Sequence, residues 1–286
     1  MTPDDRASTR LQGVGPAGRL NLEPIRSQAN PLIKDIRSLQ QRRKRYQERA
    51  FVVEGVRLVQ DVLASGIAPR HILLREDVAA DLLPLLPGDL HPRVRIADER
   101  TFASLSDVPH PQGILAVVPM REPASDALQG LEDPLVVVIA GVRDPGNLGT
   151  LLRSAAGAGV DHVFLTDGSV DPYNPKVVRA GMGCHFRVNF SAVDADTLAN
   201  VLSSCGVIGL AEADGELSYE SVDWTGSSAI IVGGEAAGAS EDVRSLATAR
   251  IRIPLAHGVE SLNAAVAGSL LMFEAARQRR ARIQSR

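Results

Sequence analysis

The sequence predicts an α/β protein of two domains, the second larger than the first. Three observations predict this. Short apolar runs alternate with helix-period segments from about residue 25 to the C-terminus. A stretch bearing Pro119, Pro123, Gly130, Pro134 and several acids interrupts the alternation at 119–134 and reads as a linker. After it the apolar runs become valine-rich, as buried parallel strands are. With 286 residues, 44% of them hydrophobic, the chain can bury one large core or two ordinary ones.

Residues 1–22, rich in Gly, Arg, Asp and Ser, read as a mobile arm. Asn30-Pro31 is a helix start, with Asn as cap and Pro at the first helical position; Ile33, Ile36 and Leu39 give that helix an apolar face. The run Arg42-Arg43-Lys44-Arg45-Tyr46-Gln47-Glu48-Arg49 is the densest positive stretch. Then come a strand at 51–53, a helix at 56–64 closed by Gly66, a strand at 71–74, a helix at 78–85 and a strand at 94–97. A short helix capped by Asp98 and a strand at 114–118 complete the first series.

Beyond the linker the expected strands are 135–140, 162–165, 186–190, 207–210, 229–232 and 250–253. The helices between them are 148–158, 176–180 and 197–203. A final helix at 261–277 is apolar at Leu262, Val266, Leu270 and Phe273, with Ser261 as its expected cap.

A formal charge of −3 argues against a globally basic nucleic-acid binder and leaves only a local patch. The two cysteines, Cys184 and Cys205, give no disulfide framework and suit a reducing compartment. The six histidines are scattered, so no metal site is expected. No apolar run reaches the length of a membrane span, and the first twenty residues have no apolar core, so neither a span nor a signal peptide is expected.

Three loops follow strands of the second domain, where open α/β sheets bind ligands. In 141–153, Asn147 stands at a helix start and can cap it or hold a substrate group, while Arg153 lies about two turns in and is expected to point into the same cleft; alone, the segment reads equally as a capped helix with a surface arginine. In 230–238 an apolar strand enters a glycine-rich turn carrying Glu235; such turns are common connections. In 253–267 a strand passes through a glycine-bearing loop into the last helix, and Asn263, a mediocre helix former, falls in its first turn.

Together these segments resemble the motifs of the SpoU/TrmH family, in the SPOUT class of RNA methyltransferases. N-x-G-x-x-x-R is met by Asn147, Gly149 and Arg153. G-x-E-x-x-G is met by Gly233, Glu235 and Gly238, with Gly234 at the variable place. I-P-x-x-x-x-x-E-S-L-N is met by Ile253, Pro254, Glu260, Ser261, Leu262 and Asn263. The likeness covers about 135–277. The earlier half is similar to the family's L30e-like substrate-binding domain through Ser27, Asn30-Pro31, the basic run, Phe51-Val52-Val53-Glu54-Gly55 and Gln112-Gly113-Ile114. Within the family the chain is most similar to the actinomycete antibiotic-resistance 23S rRNA methyltransferases of the avilamycin and thiostrepton type.

The resemblance implies an L30e-like domain at 23–118 and a SPOUT catalytic domain at 135–286. It also implies a deep trefoil knot, which periodicity does not show and connection rules count as rare. It implies a cytoplasmic homodimer that uses S-adenosyl-L-methionine to methylate a ribose 2′-hydroxyl in 23S ribosomal RNA, with antibiotic resistance as a consequence. The implied catalytic residues are Asn147, Arg153, Glu235, Ser261 and Asn263. Leu210, Ala211, Gly233, Gly234, Ile253, Leu255, Ser261 and Leu262 are implied for the cofactor. Arg42, Arg43, Lys44, Arg45 and Arg49 are expected on RNA, although such a run also suits a solvated helix face. The family proposal gives Arg153 the role of base; a side chain type that holds its proton throughout the ordinary pH range suits a phosphate clamp or alkoxide stabiliser better.

Transfer RNA is an alternative substrate. A dehydrogenase or Rossmann methyltransferase would want G-x-G-x-x-G after the first strand of the domain, which 141–146 does not supply. A non-catalytic ribosome-binding protein could dispense with Asn147, Arg153, Glu235, Ser261 and Asn263, yet all five are present.

Overall fold

A computed structural model of the chain describes residues 23–121, 128–235 and 238–284. The expected arm at 1–22 and part of the expected linker lie outside the described residues. The first series contains α1 (Pro31–Ser38), α2 (Arg42–Glu48), β1 (Ala50–Glu54), α3 (Val56–Ala64), β2 (His71–Arg75), α4 (Ala79–Leu82), β3 (Val94–Ala97), α5 (Glu99–Ala103) and β4 (Ile114–Pro119). The second contains β5 (Leu135–Ala140), α6 (Pro145–Ala158), β6 (His162–Leu165), α7 (Pro175–Gly181), β7 (Asn189–Ala192), α8 (Ala195–Leu202), β8 (Val207–Ala211), β9 (Leu217–Ser218), β10 (Ser228–Gly233), α9 (Glu241–Arg244), β11 (Ala249–Arg252) and α10 (Ala264–Gln284).

The first sheet has the order β1-β4-β2-β3 and is mixed: β4 pairs antiparallel with β1 and β2, while β2 and β3 run parallel. The second is parallel, in the order β7-β6-β5-β10-β8-β11-β9. All six residues of β5 are buried, because both faces of the sheet are covered. Val137 and Ile139 pack with Leu148, Leu151, Leu271 and Met272 of α6 and α10 on one face. Val136 and Val138 pack with Leu198, Leu202 and Val243 of α8 and α9 on the other. The chain leaves β5 toward β6 on one side and returns to β8 and β10 on the other, so the C-terminal ends of β5 and β10 flank the switch point where such sheets open a ligand crevice.

The two series share a core. Phe51 and Val53 of β1 cluster with Tyr173, Val178 and Phe186, with the Phe51 and Tyr173 ring centroids 4.8 Å apart. Beside them Arg45, 2% exposed, is ion-paired to Asp171 through Nε (3.1 Å) and Nη2. Its Nη1 donates to the carbonyls of Leu39 and Gln40 at 2.8 and 2.7 Å. Arg45 is therefore a corrected expectation: its donors are spent inside the protein, and it cannot grip RNA from there.

Other boundaries also shift for local reasons. The helix expected at 78–85 gives way after Leu82 to a tighter 3-10 turn, Leu83–Leu85, because Pro84 lacks an N–H. The strand expected from 186 begins at Asn189: Met182 and Gly183 take positive φ and turn the chain into a 3-10 turn, Cys184–Phe186, whose side chains are buried. α6 starts at Pro145, where the Asp144 carboxylate accepts the Asn147 N–H at 2.8 Å. α10 starts at Ala264 rather than at Ser261.

Burial pushes both His162 and His185 down to about 4. Their unfolded counterparts protonate near the ordinary value of about 6.5. Between those values the unfolded chain binds more protons, so stability is fullest above pH 6.5 and falls as pH drops toward 4. His185 Nε2 donates to the Pro172 carbonyl at 2.7 Å. His185→Gln, which keeps a donor there, is expected to flatten the pH dependence of the urea midpoint in this window; an unchanged slope would refute the assignment.

Candidate active site

At the switch point three loops meet. Asn263 Oδ1 accepts the N–H groups of Ala265 (2.9 Å) and Val266 (3.2 Å), so Asn263 is the cap of α10, which explains an asparagine that looked out of place. Its Nδ2 donates to Asn147 Oδ1 at 2.9 Å, and Asn147 Nδ2 donates to the Glu235 carboxylate. Residues separated by 116 and 88 positions thus form one line, Glu235–Asn147–Asn263. Each amide is oriented at both ends, which fixes which atoms face outward.

Glu235 also lines a cavity of ≈180 Å³, walled by the ends of β8, β10 and β11 and the start of α10. Of the eight expected cofactor residues, Ala211, Gly233, Gly234, Ile253, Leu255, Ser261 and Leu262 line it. Leu210 does not: along β8 successive side chains alternate, and Leu210 is buried in the core with Leu198 and Leu202. Glu212, Ala213, Val232, Ile251, Ala264 and Ala267 also line the cavity. Extending the strand-end rule two residues past Ala211 would have found the first pair.

Among the described residues the walls carry two carboxylates, Glu212 and Glu235, and no lysine or arginine. Glu212 is held by Arg244 (2.5 Å) and Arg250 (2.6 Å) from outside. An apolar slot with exposed backbone and acidic edges suits a ligand with a flat apolar ring and positive charge. S-adenosylmethionine, with its adenine, sulfonium and ammonium groups, fits those walls.

The glycines of the turn serve the loops themselves. A Cβ on Gly234 would lie 2.2 Å from the Gly141 carbonyl oxygen, and one on Gly233 2.7 Å from the Ala239 nitrogen. Both contacts are with backbone, which cannot step aside. Gly234→Ala is expected to cost about 1–3 kcal/mol of stability by overpacking and to weaken cofactor binding, as thermal shift and calorimetric titration would register. Gly88→Ala, where a Cβ meets nothing within 4 Å, is the control. Wild-type binding by Gly234→Ala would contradict this role.

Arg153 is not in the cavity. Six residues past Asn147 on α6, it is rotated by about 240° and advanced by about 9 Å. It faces a second cleft lined by Arg57, Ala156, Gly157, Gly181, Met182, Cys184 and Arg187. The expectation of one cleft shared by Asn147 and Arg153 is corrected within the single chain. Among the described residues Arg153 has no ion pair. No group of three or more His, Cys, Asp or Glu among them is placed to hold a metal, and no helix is long and apolar enough to cross a membrane.

Residues 134–273 match the SpoU rRNA Methylase family, and residues 30–116 match the MRM3-like substrate binding domain. The chain is 31% identical to the 23S rRNA (guanosine(2553)-2′-O)-methyltransferase RlmP of Bacillus subtilis, covering 88% of this chain and 98% of that protein. It is 33% identical to human mitochondrial rRNA methyltransferase 3, covering 82% of this chain and 69% of the relative. Its fold matches the crystal structure of an AdoMet-bound rRNA methyltransferase from Sinorhizobium meliloti with a TM-score of 0.79 and 28% identity, over 90% of this chain and 98% of that one. Fold, cavity and likenesses define an S-adenosylmethionine-dependent RNA methyltransferase. The chain belongs to the SpoU rRNA methylase family.

Proposed function

We propose that the enzyme methylates a ribose 2′-hydroxyl of one nucleotide in 23S ribosomal RNA. The observation that carries this reading is the Glu235–Asn147–Asn263 line at the edge of a cavity with no cation in its walls. The cofactor supplies an electrophilic methyl on a sulfonium. Asn147 and Asn263 orient the ribose, Glu235 holds a hydroxyl or amide near it, and Ser261 stiffens the entrance. The 2′-hydroxyl would be presented to that methyl by the two asparagines, and its proton would leave to solvent or a nearby acceptor. A cationic group is still needed to stabilise the forming alkoxide.

The same proposal makes the enzyme a homodimer, which supplies that group. Val266, Leu270 and Phe273 form one stripe of α10 and are 47%, 40% and 46% exposed. Gly157, one turn from Arg153, approaches the Phe273 ring. In the proposed dimer two copies pair on this stripe, and Arg153 of one serves the ribose at the other's site. The proposal also takes 23–118 as an L30e-like RNA-binding domain, 119–134 as the linker and 135–286 as a knotted SPOUT domain. Free thiols at Cys184 and Cys205 suit the cytoplasm. Resistance to a ribosome-targeting antibiotic is included in the reading on the strength of the motif resemblance, and drug sensitivity of cells with and without the enzyme tests it.

Arg42, Arg43, Lys44 and Arg49 remain the proposed RNA contacts of α2 and its cap. The Arg42 guanidinium lies 5.5 Å from the centre of the Tyr46 ring. Arg42→Gln with Arg43→Gln is expected to reduce the slope of log affinity for RNA against log salt by about 1–2; an unaltered slope removes the patch from the RNA path. The proposed reaction itself is tested by methylating 23S RNA with labelled S-adenosylmethionine and digesting to nucleosides. Label in one 2′-O-methyl nucleoside is the expected result, and label in a base overturns the reading.

A further inference from the structure

We propose that the cleft where the two domains meet is a binding site for the RNA backbone, in which Arg57 and Arg187 hold phosphate on the way to Arg153. This rests on the proposed RNA substrate and adds a site to it. The cleft, of about 400 Å³, is lined by Arg57 from α3 of the first domain, Arg153 from α6 of the second, and Arg187 from the turn after α7. Among the described residues no lysine or acid joins these three arginines in the lining.

The cleft is assembled across the domain boundary by a single carboxylate. Asp61, whose side chain is 9% exposed, accepts from Arg187 at 2.7 Å and pairs with Arg57 at 3.5 Å. The two guanidinium side chains stay 58% and 72% exposed, so Asp61 steers them without burying them. Gly183 makes this possible: a Cβ there would fall 2.6 Å from Asp61 Oδ2. Its neighbour Met182, 50% exposed and at φ 48°, presents an apolar wall at the cleft's edge.

Two of the three arginines in the lining share one carboxylate, leaving an excess of positive charge that an anion can neutralise. The positive field of Arg153 and Arg187 reaches the buried Cys184 thiol, which they pull down against the stronger upward push of burial. Planar guanidinium forks suit phosphate oxygens, and side chains contributed by two domains suit a strand running from one to the other. Small residues at Ala156, Gly157 and Gly181 leave the floor open for a backbone to lie close. RNA captured by the first domain would be passed through this cleft to Arg153, beside the proposed dimer interface.

The test uses the full-length protein, wild type and Arg57→Gln/Arg187→Gln, with 23S RNA as ligand and inorganic pyrophosphate as competitor. The double variant is expected to bind S-adenosylmethionine as wild type does. Its salt slope for RNA should fall by about 1–2, and pyrophosphate should compete less well against it. Arg57→Lys/Arg187→Lys, which keeps the charge, should retain most of the slope; this second variant also serves if the Gln pair disturbs folding. A wild-type slope and wild-type competition in the Gln pair would overturn the site and leave the proposed reaction standing. Failure of the wild-type enzyme to bind RNA at all would overturn both.

Discussion

Arg153→Ala is expected to lower methyl transfer by about 10²–10³-fold, the size of the loss when one group that stabilises developing negative charge is removed, while leaving S-adenosylmethionine affinity unchanged. The two halves of that expectation come from separate places in the structure. The cofactor cavity has no arginine in its walls, and Arg153 lies in a different cleft, so the ground-state binding of the methyl donor is indifferent to it. The Glu235–Asn147–Asn263 line can orient a ribose but offers no positive charge to its oxygen. Steady-state rates on 23S RNA with calorimetry on the cofactor separate the effects. Subunit mixing sharpens the test. Arg153→Ala and Glu235→Ala chains, each inactive alone, should regain a fraction of activity when combined, because one site of the mixed dimer receives both groups. No recovery in a confirmed mixed dimer would show that Arg153 acts within its own chain.

Arg45→Ala is expected to be the most destabilising single change in the basic run, by about 3–5 kcal/mol, because it leaves the Asp171 carboxylate buried without its charge partner. Asp171 also accepts the Tyr46 hydroxyl at 3.0 Å and the Tyr173 N–H at 3.1 Å, so its loss of Arg45 disturbs the seam between the domains. Arg43→Ala, an exposed change two residues away on the same helix, should stay within about 0.5 kcal/mol. The double variant Arg45→Met/Asp171→Leu should recover much of the loss, since no charge is then left stranded. Urea unfolding of the four proteins decides it: equal midpoints for Arg45→Ala and Arg43→Ala would mean that the buried pair contributes nothing.

Much of this architecture is legible in the sequence because its signals are local. Leu135–Ala140 has no polar residue and can only be a strand buried on both faces. Val56–Ala64, ended by Gly66 at positive φ, carries both its periodicity and its stop. The three site loops are legible because a parallel sheet exposes its strand ends in one place. What escaped was decided by partners far along the chain. Arg45 reads as one more surface cation until Asp171, 126 residues away, is brought to it. Ser261 and Asn263 are both good caps, and the choice between them falls to Asn263, whose amide is also anchored to Asn147. The direction of Arg153 was recoverable: six helical residues do not return to the starting face.

The central claim is that three segments far apart in the chain close on one methyl donor. Hydrogen–deuterium exchange of the wild-type protein with and without S-adenosylmethionine tests it most directly. The account predicts slowed exchange in peptides covering 211–213, 233–235 and 253–262 together, with 42–49 unchanged. Protection confined to one of the three, or located elsewhere, would contradict it.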